Sequence, residues 1–566
     1  MYKDYNMNQV TLSLDLEIYL EKDDIAFAIN DLVESMPEKA FSAFDHQMGA
    51  TSYHPKMMLK LILCGYTQSI FSGRRIEALA KDSIRARWLT QSQQPNFRTI
   101  NRFRVHPHMQ GLLEACFIQL RNLLVSQKLI ETDALFIDGT KLEANANKYT
   151  FVWKKSIENY EAKLTEKSKG IYQQLVKEKI IPSICAEDKD LSEEDFSQII
   201  TALETSVENL TQKIETSDCA KKRKQLRSQR KAPKQALKQF SDFKERQSRY
   251  VRQKAILGER NSYSKTDHDA TFMRMKEDHM RNGQLKAGYN VQIATNQQYV
   301  LAYDIFPNPT DTRTLVPFLR TIEKTYFDLP DYIVADAGYG SEENYETIMD
   351  DFEKTPLITY GMYRKEKKRS FKKNRFNPLN WQYDELRDTY LCPIDREVPF
   401  KRYATRTDKY GYQRQLKIYE CLSCENCPVR SQCTKAKSGR NRMIQKNGNW
   451  DYFKAYVQTL LKDKRTGKLY GQRKIDVEPA FGNLKANLGF TRFSVRGKDK
   501  VRNELGFAFM AVNLRKLTAY PQTNLLNKQK NKGTKIFLLI LVPFLLFLRL
   551  MGQPLEENFY LLWRSK

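Results

Sequence analysis

The sequence predicts a multidomain α/β protein, and three observations carry that reading. The chain has 566 residues, more than one ordinary hydrophobic core organises, which implies roughly two to four domains. Two short apolar runs, Ala134 to Ile137 and the DYIVA segment Asp331 to Ala335, have strand length, and each delivers the chain to an aspartate, Asp138 and Asp336. Around them the periodicity is helical, including a long charged stretch from Trp153 to Leu257.

In chain order, residues 1 to about 50 carry no clear pattern. From His54 to Arg104 apolar residues recur at helical spacing, broken by polar turns at Ser72 and at QSQQPN. The last helix of this block, in FRTINRFR, exposes Arg98, Arg102 and Arg104. Short helices, tight turns and exposed arginines suit a DNA groove, as in a helix-turn-helix arrangement. A helix near 109 to 128 precedes the strand that ends at Asp138. In the charged stretch, Phe196, Ile200, Leu203, Val207, Leu210 and Ile214 alternate spacings of four and three, the seam of a coiled coil. Ala220 to Lys234 then carries eight basic residues and no acid, a solvated face or a contact for DNA backbone. Gly288 to Ala294 and Tyr299 to Asp304 alternate as a β-hairpin pair. A helix from about 311 to 326, the strand ending at Asp336, a helix at 343 to 351 and a strand at 357 to 360 follow. A second basic run spans Arg364 to Arg375. The chain closes with helices at 451 to 486, interrupted near Gly467, and at 503 to 516.

The formal net charge is +27 and the pI about 9.5. Charge of that size points to a polyanionic partner, because each Lys or Arg set on a phosphate releases a condensed counterion. The N-terminus carries early acids and no long apolar run, so it is not a secretory signal. The expected location is cytoplasmic, associated with the nucleoid when bound to DNA. Ile536 to Leu548 is continuously apolar, but a membrane helix needs about 20 residues, and Pro543 interrupts it. A docked terminal helix or a dispensable tail is the expectation. Cys64, Cys116, Cys185 and Cys219 are unpatterned and read as reduced thiols. Cys392, Cys421, Cys424, Cys427 and Cys433 are clustered, with overlapping Cys-x2-Cys pairs suited to a structural zinc site that would hold together a loop-rich insertion. Spacing does not say which four would bind, and an iron–sulfur cluster or free thiols are alternatives.

Asp138, Asp336 and Glu478 stand out as catalytic candidates. Two end strands and the third lies on a helix, preceded by Arg473 and Lys474. Carboxylates converging in a basic protein repel one another unless cations neutralise them. Two Mg2+ or Mn2+ ions held between them are the requirement of phosphoryl transfer. Asp267, Asp269, Glu143 and Asp476 are competing acids, and a lone Asp-Gly is most often only a turn.

FIDGTKLEANANKYTFVW, KAGYNVQIAT, YIVADAGYGSEENY and DVEPAFGNLKANLGFTRFSVRG, in this order, resemble the DDE transposases of bacterial insertion sequences, in the branch spelled eleven-eighty-two. YHPKMMLKLILCGY and FRTINRFR resemble their N-terminal domain. The resemblance runs from about residue 50 to 516. It implies a ribonuclease-H-like core in which Asp138, Asp336 and Glu478 bind the metals, with Lys485 on a DNA phosphate. Arg473 or Lys474 would be a second phosphate contact, Arg473 lying one residue beyond the family spacing. The organisation it implies is an N-terminal helical DNA-binding domain (1–130), a first core segment (131–152), a helical coiled-coil insertion (153–260), core again (261–363), a basic and Cys-rich insertion (364–445), C-terminal core helices (446–520) and an apolar tail (521–566). The implied function is binding of terminal inverted repeats of double-stranded DNA, strand cleavage and strand transfer. The chain would work as a dimer or higher, with the coiled coil as a candidate interface, and without a small-molecule cofactor or membrane. Alternatives are a nuclease of the same fold that does not join ends, and a DNA-binding protein with a decayed site.

Overall fold

The computed structural model describes residues 16–45, 52–184, 190–275, 284–437 and 439–519. The apolar run 536–548, Cys185 and the first residues of the chain lie outside them. The protein is mixed α/β, with several sheets and many helices. No helix among the described residues is long and apolar enough to cross a membrane.

The first strand, β1 (Ala134–Glu143), is longer than its apolar run. Asp138 is therefore inside a strand and not at its end, because β1 keeps an antiparallel partner out to Glu143. A short ribbon of β2 (Phe151–Trp153) and β3 (Ser262–Ser264) brackets the charged helical stretch. Then come β4 (Thr271–Arg274), β5 (Leu285–Asn296), β6 (Tyr299–Phe306), β7 (Tyr332–Ala335) and β8 (Thr355–Ile358). The main sheet runs β6-β5-β1-β7-β8, with β4 pairing the first part of β5. β5 and β6 form the expected hairpin, β5 is antiparallel to β1, and β1, β7 and β8 are mutually parallel. The first half of β1 (Ala134–Ile137) and most of β7 are buried and apolar, as strand segments covered on both faces must be.

One large core joins this sheet to the N-terminal helices. All residues of the helix Pro55–Thr67 are buried, as are Val501 and every residue from Asn503 to Leu514 in the closing helix Lys498–Ala519. A helix apolar all round has to be wrapped by protein. Tyr66 meets Phe507 with ring centroids 5.6 Å apart, and Phe71 meets Phe490 at 5.2 Å. The described residues of 16–130 and the sheet thus have a common core.

The charged stretch forms the helices Lys154–Lys177, Glu193–Glu215 and Ala220–Leu257 around a separate small core. Phe196 and Leu203 of the expected seam are buried there, and Phe196 packs on Phe240 of the long helix, centroids 5.9 Å apart. At these positions the seam is packed from within the chain, whereas Val207 and Leu210 further along it are partly exposed. The basic run from Ala220 is continuous helix and passes through Pro233 without a break.

The cysteine region is not loop-rich. It is an antiparallel meander of β9 (Gln382–Asp384), β10 (Thr389–Leu391), β11 (Glu397–Thr407), β12 (Gln413–Glu420) and β13 (Met443–Lys446). Asp388 is its polar hub. It accepts hydrogen bonds from the Tyr383 and Tyr419 hydroxyls, each 2.6 Å, and from Lys417 at 3.1 Å. The two hydroxyls and the lysine hold its carboxyl down at about 2.

The most deeply buried ion pair joins Arg104 to Glu504 on the closing helix, N···O 2.9 Å. Arg104 also donates to the Phe71 carbonyl, and Glu504 accepts from the Ser494 amide. Removing one member leaves a buried charge without its partner, which costs about 3–5 kcal/mol. Glu504→Ala is expected to lose that much in equilibrium denaturant unfolding, whereas a combined Arg104→Met, Glu504→Leu replacement recovers most of it.

Candidate active site

The parallel pairing of β1 and β7 positions the two aspartates. Ala134, Leu135 and Phe136 pair with Tyr332, Ile333 and Val334. Two residues further along both strands, the same register sets Asp138 level with Asp336. By then β7 has ended at Ala335 while β1 continues with β5, so the sheet opens beside the two carboxylates. Asp336 Oδ1 accepts from the Gly338 amide at 2.8 Å, and Asp138 Oδ1 from the Gly139 amide at 2.8 Å.

Tyr339 forms the floor. It is fully buried, and its hydroxyl donates to Gln292 Oε1. Burial first, then the charges of Asp311, Asp138 and Asp336, push its pKa well above the usual phenol value, so it stays a neutral donor. Gly139 admits this crowding: a Cβ there would stand 2.3 Å from Gln292 Nε2 and 2.9 Å from Asp311 Oδ1. Asp311 did not stand out in the sequence. It opens a short 3-10 turn (Asp311–Arg313), where an acid is ordinarily only a cap.

The helix Lys464–Gly482 crosses β1 and its neighbours. Arg473 Nη1 lies 3.4 Å from Asp138 Oδ2, and both side chains are largely buried. Lys474, next in sequence, is exposed. Beyond the helix, in a π turn (Asn483–Asn487), Lys485 donates to Thr140 Oγ1 at 2.8 Å. Glu478 lies between these two contacts, on the segment crossing β1, with its side chain exposed. Asp138 and Asp336 are therefore brought together. Glu478 belongs to the same crossing but is not closed onto them. Among the described residues no group of three His, Cys, Asp or Glu side chains is arranged to hold a metal ion. The guanidinium of Arg473 is a positive charge facing Asp138.

The competing acids are occupied elsewhere. Asp267 accepts from the Tyr289 hydroxyl at 2.9 Å, and Asp269 from the Lys498 amide at 2.8 Å. Glu143 pairs with Lys286 at 3.0 Å. Asp476 is buried toward Thr295 and the Gln297–Gln298 backbone, and its burial raises its pKa. Of the N-terminal arginines, Arg98 and Arg102 are exposed and available to DNA. Arg104 is not, because Glu504 holds it in the core. All five clustered cysteines line one cavity of about 20 Å³, beside Arg396, Arg430 and Arg442. The Arg442 amide donates to Cys424 Sγ at 3.2 Å.

Two family comparisons match parts of the chain. Residues 391–518 match the family described as "Transposase DDE domain", and residues 14–106 match "Transposase domain (DUF772)". No curated protein and no solved structure matches the chain. The two matches support a DDE-type transposase, and hence a nucleotidyl-transfer enzyme acting on DNA. Glu478, Arg473, Lys474, Lys485 and the five cysteines fall within the first match, whereas Asp138 and Asp336 lie outside both.

Adjacent cations in sequence should therefore behave differently. Arg473→Ala removes the largely buried guanidinium that faces Asp138 and is expected to cost about 1–3 kcal/mol. Lys474→Ala, on the surface, should stay within about 0.5 kcal/mol of the parent. Urea unfolding of the two variants without divalent metal checks the contrast.

Proposed function

We propose that the protein is a DNA transposase of the bacterial insertion-sequence type, with a ribonuclease-H-like catalytic core whose acids are Asp138, Asp336 and Glu478. The observation that carries the reading is the β1–β7 register, which sets Asp138 beside Asp336 at the open edge of a sheet ordered β6-β5-β1-β7-β8. The core is built from 131–152, 261–363 and 446–520. The helices of 153–260 and the sheet of 364–445 are insertions, and the helices of 1–130 contact DNA.

The donor set fits Mg2+ or Mn2+: the carboxylates are hard oxygen ligands, and they crowd one another enough to need neutralising. When bound, two such ions activate the attacking water or 3′-hydroxyl and stabilise the leaving 3′-oxygen. The chain's own residues do the rest. Asp138 is fixed by the rigid strand β1, and Asp336 by the turn at Gly338. Arg473 balances Asp138 from the crossing helix that also carries Glu478. Lys485 stands at β1 to receive a DNA phosphate, with Lys474, Arg98 and Arg102 as further phosphate contacts. The double-stranded partner would be the element's terminal inverted repeats and then the target, with two chains in the synapsed complex. Both cleavage and joining are in-line transfers at one site and require no covalent protein–DNA intermediate.

A structural zinc ion in the cysteine sheet is part of this reading. Five thiols share one small cavity, and an amide already donates to Cys424 Sγ, as it would to a thiolate ligand. Elemental analysis of purified protein should find one zinc per chain, and a Cys424→Ser, Cys427→Ser variant should find none. A metal-free parent protein with an intact fold counts against the site.

The function is tested with a labelled duplex carrying the element's end, in Mg2+ or Mn2+. Nicking at the element boundary followed by joining is expected. Asp138→Ala, Asp336→Ala and Glu478→Ala should each lose it by at least a thousandfold while still binding DNA. Cleavage without joining would make the protein a nuclease, and binding without cleavage a regulator.

A further inference from the structure

Asp311 is the acid that the sequence leaves unassigned and that the fold brings to the site. It follows β6 and starts the turn into the helix Leu315–Thr325. Its backbone is fixed there, its carbonyl accepting from the Thr314 amide at 3.0 Å and from the Thr314 hydroxyl at 2.8 Å. Its two carboxylate oxygens have different surroundings. Oδ1 accepts from Asn290 Nδ2 at 2.8 Å and from Gln292 Nε2 at 3.2 Å. Both amides belong to fully buried residues two apart on β5, on the sheet face of Gly139, opposite the face to which Asp138, paired with Ile293, projects. Oδ2 is turned the other way. It lies 3.8 Å from the Cβ position of Gly338, which is itself 2.9 Å from Asp336 Oδ1. Asp311 is also the acid whose charge weighs most on the Tyr339 hydroxyl, ahead of Asp138 and Asp336.

A carboxylate pinned through one oxygen, with the other turned toward Asp336, repels that acid at neutral pH. A turn-capping role would use the oxygen that faces Asp336, and the turn does not. Two buried amides spent on orienting Oδ1 make sense where Oδ2 has a cation to meet.

We propose that Asp311 is a fourth acid of the metal site, its Oδ2 supplying a ligand oxygen to a divalent cation shared with Asp336. This rests on the reading of Asp138 and Asp336 as metal-binding carboxylates. Asp311, held by Asn290 and Gln292, is the pre-oriented member, and Glu478 on the crossing helix completes the set.

The test is Mn2+ binding to the full-length protein without DNA, followed by electron paramagnetic resonance of the free ion, alongside thermal unfolding in EDTA. Asp311→Asn preserves shape and removes the charge. It should raise the Mn2+ dissociation constant at least tenfold and leave the EDTA melting temperature equal to the parent's or higher, since like-charge repulsion is relieved. Asp267→Asn, a buried acid outside the site, should leave Mn2+ affinity unchanged. Parental Mn2+ affinity in Asp311→Asn, with affinity lost in Asp138→Asn and Asp336→Asn, would overturn the proposal and spare the site. Parental affinity in Asp138→Asn and Asp336→Asn, or no saturable Mn2+ binding by the parent, would bring down the reading of the site and this proposal with it. A lowered EDTA melting temperature with unchanged affinity would make Asp311 structural only. Should Asp311→Asn not fold, Asp311→Glu, which keeps the charge and displaces it, carries the same comparison.

Discussion

The parallel register between β1 and β7 is the constraint on which the rest depends. Side chains on adjacent parallel strands at matching positions face the same side of a sheet. Once Phe136 is paired with Val334, Asp138 and Asp336 have no choice but to be neighbours. A slip of one residue would send one of them to the opposite face. The early end of β7 matters equally, because it leaves the carboxylates at an opening and not inside a hydrogen-bonded ladder. The surrounding polar residues accommodate that crowding: the buried amides of Asn290 and Gln292, the neutral Tyr339 and the guanidinium of Arg473 are what a low-dielectric site needs to tolerate several acids.

The second organising feature is the closing helix Lys498–Ala519. Wrapped on all sides, it packs against the N-terminal helices and against β6. The arginine-bearing helix Phe97–Arg104 is consequently not a loosely tethered module. Its Arg98 and Arg102 are presented to solvent at a fixed attitude to the sheet, because Arg104 at its end is locked to Glu504.

Much of this was legible in the sequence, for physical reasons. Both aspartates follow apolar runs of strand length, and β-sheet burial makes such runs conspicuous. The β5–β6 hairpin and the helical seam were visible through their periods. What escaped depended on long-range pairing. The extension of β1 through the polar residues Gly139, Thr140 and Lys141 is imposed by β5, which local propensity does not see. The strands around the cysteines are polar and exposed, so their alternation is weak, and the region read as loops. Arg104 looked like its neighbours Arg98 and Arg102 because its partner Glu504 is 400 residues away in sequence. Asp311 had the local signature of a cap, and only the approach of β5 and Gly338 distinguishes it.

The helical insertion has a consequence for how the chain is made. It separates β1 from every other strand of the main sheet, and it has its own core. As the polypeptide leaves the ribosome, β1 emerges with its apolar face uncovered and no partner, while the three helices that follow can close on one another immediately through local contacts. The central strand must wait until β5 and β7 arrive, a non-local pairing of the kind that folds slowly and exposes sticky edges meanwhile.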